Sequence, residues 1–89
     1  MARLSFTPVA LQDSREILVT LNEAAGQFVA AAYFARFRTT LERIRTFPES
    51  GGPRPHLGRG IRIAVVRPYV IFYRAADEEV QIIRVLHGK

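Results

Sequence analysis

Residues 47–60 hold four of the chain's six glycines and three of its five prolines, and no other stretch constrains the fold as sharply. Glycine carries extra backbone entropy and proline lacks the N–H that helices and sheets use, so no regular element is expected there. This main loop divides the 89-residue chain in two. Before it, apolar residues recur every three or four positions; after it, they recur every two.

The first part reads as two helices. Thr7 followed by Pro8 is a start signal, a hydroxyl N-cap with proline at the first helical position. Ala10, Ser14, Ile17 and Leu21 then share one face, with Asp13 and Glu16 toward the positive end of the helix dipole. Gly26 breaks the helix and permits a positive φ at its end. From about residue 27 to 46, Ala30, Phe34, Phe37, Leu41 and Ile44 predict one apolar stripe. Arg36, Arg38, Thr39, Glu42, Arg43 and Arg45 fall largely on the other side, with Arg38 and Glu42 spaced as an i,i+4 pair. So short a break allows only an antiparallel helical hairpin.

The second part reads as strands. Ile61, Ile63 and Val65 alternate with Arg62, Ala64 and Val66. Pro68 interrupts, residues 69–74 form a second β-rich run, and residues 75–78 supply a polar turn. Residues 80–86 are almost continuously apolar, which predicts a central strand buried on both faces. Residues 3–6 add a short edge strand. The order β-α-α-β-β-β describes an α+β domain spanning residues 1–89, a helical hairpin on one face of a mostly antiparallel sheet completed by a three-strand C-terminal meander. At this length the core is thin.

Composition narrows the chemistry. Cysteine is absent and only two histidines are present, so neither disulfides nor a structural zinc site is expected, and no cofactor is implied. No stretch approaches the roughly 20 apolar residues of a membrane helix; residues 28–35 come nearest and end at Arg36. The N-terminus has no apolar run followed by a small-residue cleavage site, so a cytoplasmic protein without membrane association is expected.

The net charge of +5 is unevenly spread. Residues 1–50 carry six arginines against five acids, whereas residues 51–89 carry six arginines and Lys89 against three. Between Glu49 and Asp77 lie Arg54, Arg59, Arg62, Arg67 and Arg74 with no acid. Such a patch suits an anionic partner, either nucleic acid or an acidic protein segment. Catalytic sets are poorly supplied. Asp77, Glu78 and Glu79 read as solvated turn acids, Ser5, Ser14 and Ser50 have no local nucleophile motif, and His56 reads as a loop-surface residue. His87, after the last strand, fits a proton donor or phosphate contact as well as a strand-end histidine.

Four segments then point to one family: Leu4-Ser-Phe-Thr-Pro-Val-Ala10; Thr46-Phe-Pro-Glu-Ser-Gly-Gly-Pro-Arg-Pro-His-Leu-Gly-Arg-Gly-Ile-Arg62; Val66-Arg-Pro-Tyr-Val-Ile-Phe-Tyr-Arg74; and Ile82-Ile-Arg-Val-Leu-His-Gly-Lys89. Together they resemble the ParE branch of the RelE/ParE toxin superfamily of bacterial type II toxin–antitoxin systems. The resemblance implies a non-enzymatic toxin that inhibits DNA gyrase by protein–protein contact. It also implies a ParD-like antitoxin whose acidic, amphipathic C-terminal segment wraps the toxin. Operator DNA would be met only indirectly, through that antitoxin. The competing branch, the RelE-like ribosome-dependent mRNA endonuclease, commonly has arginine directly after the tyrosine of the penultimate strand; here Val70 follows Tyr69. The chain stops at Lys89, so no arginine or tyrosine follows His-Gly-Lys, and such a stop is expected to weaken the nuclease reading. With location and charge added, the expected target contacts are Arg59, Arg62, Arg84, His87 and Lys89. The expected antitoxin contacts are Phe34, Arg38, Leu41, Arg45, Arg67 and Arg74.

Overall fold

The computed structural model describes residues 1–88; Lys89, one of the expected target contacts, lies outside the described residues. In chain order the elements are β1 (Arg3–Phe6), α1 (Pro8–Ala25), α2 (Gln27–Thr46), β2 (Gly52–Pro53), a 3₁₀ turn (Pro55–Leu57), β3 (Ile61–Val66), β4 (Tyr69–Ala76) and β5 (Glu79–His87). One sheet has the order β1-β5-β4-β3-β2. β1 runs parallel to β5 and every other pairing is antiparallel. The α+β reading and the order of elements hold, with two additions inside the loop.

Thr7 carries the turn from β1 into α1. Its hydroxyl oxygen accepts from the Ala10 amide at 3.0 Å and donates to the Ile83 carbonyl at 2.9 Å, so a single cap also ties the helix start to the sheet. Pro8 occupies the first helical turn, where no amide is missed. Gly26, at φ 88°, serves as the C-cap of α1 and the N-cap of α2. A Cβ there would meet nothing within 4 Å, so it is the backbone angle and not space that calls for glycine.

The inward stripe of α2 differs from the expected one. Ala30, Thr40 and Ile44 are buried, and Tyr33, Phe37 and Leu41 are packed against the core, whereas Phe34 is 59% exposed. Residues 30, 33, 37, 40 and 44 follow the 3.6 period; Phe34 lies just off that line and is left at the rim. Beneath the helices sit Ile71, Tyr73, Val80, Ile82, Val66 and Ala64.

β5 is an interior strand, but the sheet is covered on one face only. Val80, Ile82 and Val85 are buried while Leu86 is exposed, which corrects the expectation of burial on both faces. A register shift at Phe72/Tyr73 sets two β5 residues, Ile83 and Arg84, beside one step of β4. The β4–β5 turn is tighter than expected, because Ala75 and Ala76 belong to β4 and only Asp77 and Glu78 turn, at φ 53° and 61°.

The glycine–proline segment is ordered by what it touches. The hydroxyl of fully buried Tyr73 donates to the Pro48 carbonyl at 2.8 Å and accepts from the Gly51 amide at 2.9 Å. Arg62 donates to the carbonyls of Glu49 at 3.0 Å and Gly51 at 2.8 Å. A Cβ at Gly51 would come within 2.6 Å of the Ile63 carbonyl oxygen, so the chain approaches the sheet there more closely than any other residue allows. These anchors let Gly52 and Pro53 pair with Ile63 and Arg62, where composition alone predicts no regular element.

Candidate partner-binding surfaces

Three surfaces collect the chemically expressive side chains. The first is the arginine-rich loop and the neighbouring sheet edge. Besides Arg62, Arg74 donates from Nε to the Arg59 carbonyl at 3.0 Å and Arg54 donates to its neighbour Pro53 at 2.8 Å. Arg59 and Arg67 make no side-chain hydrogen bond among the described residues, and both are exposed. The loop therefore presents a fixed scaffold of guanidinium groups, three of them held by its own carbonyls. A guanidinium on a carbonyl keeps its full charge and its remaining donors, so it can still meet an acidic group.

The second surface lies along α2. A cavity of about 240 Å³ opens between the two helices and the sheet, with Leu11, Ile17, Leu18, Phe34, Phe37 and Leu41 among its lining residues. A second depression on the other side of Phe34 and Leu41 is lined also by Leu4, Arg38 and Glu42. Of the residues expected to meet an antitoxin, Phe34, Arg38 and Leu41 are thus brought together. Arg45 lies one turn further along α2, where it donates to the Ala2 carbonyl at 2.8 Å and pairs with Glu42 at 3.4 Å. Glu42 pairs in this way with Arg45, not with Arg38 as i,i+4 spacing suggests. Arg67 and Arg74 belong to the sheet side, outside this lining.

The third surface is the end of the sheet at the β3–β4 turn. Tyr69 is at the start of β4, and its ring meets Tyr33 of α2 edge-on with centroids 5.9 Å apart, Phe37 at 5.6 Å and His87 of β5 at 5.5 Å. The register Val66–Tyr69–His87 across three strands brings the imidazole here. The Arg36 guanidinium lies 5.0 Å from the Tyr33 ring centroid and donates to the Arg67 carbonyl at 3.3 Å. Burial pushes the Tyr69 phenol above its ordinary value, and the neighbouring Tyr33 adds to the shift. Sequence reasoning singled out His87 but not Tyr33, Arg36 or Tyr69. The strand register was the available signal, since hairpin pairing across Pro68 sets the start of β4 beside the end of β5.

The expected target contacts are therefore divided. Arg59 and Arg62 belong to the loop and β3, and Arg84 and His87 lie two strands away on β5. Arg84 is engaged by the chain itself. Its Nε and one terminal nitrogen donate to the two carboxylate oxygens of Asp13 at 2.8 and 3.0 Å, and the Val85 amide donates to the same carboxylate at 2.9 Å. The Arg84 bonds hold Asp13 below the usual carboxylate range although burial opposes this, and Asp13 in turn raises Arg84. Among the described residues no group of three His, Cys, Asp or Glu side chains could hold a metal ion, and no helix is long and apolar enough to cross a membrane.

Comparison with known proteins agrees with this architecture. A family model described as the ParE toxin of the type II toxin–antitoxin system parDE matches residues 4–89. Toxin ParE3 of Caulobacter vibrioides is 32% identical over 89 residues, an alignment covering all of this chain and 89% of that protein. A chain of a chromosomal ParDE system from P. aeruginosa superposes with a TM-score of 0.82 at 22% identity, covering 100% of this chain and 98% of the other. The solution structure of a conserved hypothetical protein from Helicobacter pylori reaches 0.50 at 17% identity, covering 98% and 94%. With its β-α-α-β-β-β order and a family match running through the sheet and both helices, the chain belongs to the ParE toxin family of type II toxin–antitoxin systems.

Proposed function

We propose that this toxin arrests growth by binding DNA gyrase and that a ParD-like antitoxin neutralises it with an acidic, amphipathic C-terminal segment. The observation that carries the antitoxin half is the uncovered apolar groove along α2. Phe34 is 59% exposed, Phe37 and Leu41 continue the groove, and Arg38 stands at its rim. An isolated domain gains nothing from leaving such a surface to water, whereas a segment that folds on binding can cover it with apolar residues and meet the arginines with acids. The gyrase half rests on family membership, together with a basic loop and sheet suited to acidic patches on a protein target. The toxin acts by contact and carries out no bond-breaking step, and operator DNA is reached through the antitoxin.

The test is expression with and without the antitoxin encoded beside it. The toxin alone should slow growth and raise gyrase-linked DNA breaks, and co-expression should abolish both. Purified toxin should inhibit supercoiling by purified gyrase. Unchanged supercoiling at saturating toxin, or cutting of ribosome-bound mRNA at codon positions, would replace this reading with the endonuclease one.

A further inference from the structure

The β3–β4 end of the sheet has a composition that neither the groove nor the loop shares. Tyr69 is 7% exposed as a residue, and its hydroxyl makes no hydrogen bond among the described residues but still reaches water, since Ser5 Oγ is the one sealed side-chain polar atom without a partner among them. Tyr33, whose ring edge meets it, likewise has no partner for its hydroxyl. His87 closes the other side of Tyr69 and is itself exposed. Arg36 spends one donor on the Arg67 carbonyl and lies over the Tyr33 ring, leaving the rest of its fork available. None of the residues that build this end is acidic, from Tyr33, Arg36 and Phe37 on α2 to Arg67, Tyr69 and His87.

We propose that Tyr69, Tyr33, His87 and Arg36 form a carboxylate-binding site, which takes an aspartate or glutamate side chain of the protein this toxin acts on. Tyr33, Phe37 and His87 fix the Tyr69 ring while its water-reaching hydroxyl keeps a donor to spare, so little freedom is lost when a ligand supplies the acceptor. Burial and Tyr33 keep the Tyr69 phenol protonated, which makes it a donor to an oxyanion. The Arg36 guanidinium with the phenol donors suits a single negative charge, and the aromatic floor of Phe37, Tyr33 and Tyr69 suits the short aliphatic stem of an acidic side chain.

A nucleic acid fits less well. Phosphate backbones are held by several cations at once. Base stacking needs an open aromatic face; Tyr69 is buried and Arg36 lies over the Tyr33 ring. The site adjoins the groove through Tyr33 and Phe37, whereas Arg36, Tyr69 and His87 line neither depression along α2. The inference rests on the contact-toxin reading for the identity of the partner, but not for the chemistry of the site.

Two measurements test it. In supercoiling assays with purified gyrase, Tyr69→Phe and Arg36→Gln should each raise the inhibitory concentration about tenfold, the weight of one hydrogen bond to a charged group. Antitoxin affinity, measured in parallel, should stay within about twofold, and melting temperatures should show that both variants fold. On the free toxin, titration with sodium glutarate followed by NMR should shift the ring signals of His87, Tyr33 and Tyr69 saturably and at lower concentration than inorganic phosphate does. Full inhibition by both variants would overturn the proposal. So would an equal loss of antitoxin affinity, which would assign the site to the antitoxin, or tighter binding of phosphate than of glutarate. If the unsubstituted toxin leaves gyrase untouched, the gyrase reading falls alone; the glutarate titration then decides the site, and unmoved ring signals overturn it.

Discussion

Replacing Asp13 with alanine is expected to destabilise the fold by about 2 kcal/mol, mainly through a backbone amide and not through the ion pair it breaks. The carboxylate is 8% exposed and accepts from Arg84 twice and from the Val85 amide once. β1 pairs with β5 only as far as Ile82, so beyond that point the β5 edge is satisfied by α1, through Thr7 on the Ile83 carbonyl and Asp13 on the Val85 amide. Without Asp13 the buried Val85 amide has no acceptor, and an unmade buried hydrogen bond costs about 1–3 kcal/mol. The Arg84 side chain is 44% exposed and returns its guanidinium to water. For a domain of this size about 2 kcal/mol lowers the melting temperature by roughly 8–16 °C, readable by circular dichroism. Asp13→Asn keeps an acceptor for Val85 and should fall between wild type and alanine; Arg84→Gln should cost less than Asp13→Ala. Because Arg84 lowers the Asp13 pKa, the contribution is complete above the ordinary value of 3.8 and is lost as pH falls through the lowered folded value. The gap between wild type and Asp13→Asn should therefore narrow in acid. If Arg84→Gln costs as much as Asp13→Ala, or if Asp13→Ala melts within about 2 °C of wild type, the amide argument is wrong.

Tyr73→Phe removes the hydroxyl that holds Pro48 and Gly51; it should cost about 1–3 kcal/mol in urea unfolding and open the loop to trypsin at Arg59. Replacing Asp77-Glu78 by Asn-Gly should stabilise by about 1 kcal/mol, since both residues hold positive φ that Asn and Gly adopt more readily. Phe34→Ser should leave the melting temperature nearly unchanged, because the ring is 59% exposed, yet weaken antitoxin binding about tenfold or more by calorimetry.

The helices, the hairpin and the meander were legible because each is set by local periodicity and by residues such as Thr7, Pro8 and Gly26 that act on their immediate neighbours. What was not legible depends on separation along the chain. Asp13 reads as a helix-start acid, and nothing near it announces Arg84, 71 positions away. The loop looks structureless because its order comes from Tyr73 and Arg62, which belong to strands that follow it. Phe34 fits an apolar stripe by spacing, and only the placement of Tyr33 against Tyr69 shows which of two adjacent aromatics turns inward. Glu42 had two arginines in reach, and an exposed i,i+4 pair is too weak to decide between them.

The charge that composition locates after the helical hairpin has two uses, and they favour different arginines. Arg54, Arg62 and Arg74 are fixed by backbone carbonyls of the loop and Arg84 by a carboxylate. These side chains lose less freedom on meeting a partner, and the loop they hold cannot easily rearrange to suit a poor one. Arg59 and Arg67, with no such bonds among the described residues, pay more to be ordered and contribute mainly to long-range attraction. A basic toxin that must find its target quickly and yet be silenced by one antitoxin benefits from both. The mobile charges steer the encounter, and the pinned ones, held in fixed geometry on the loop and sheet, decide which acidic surface stays.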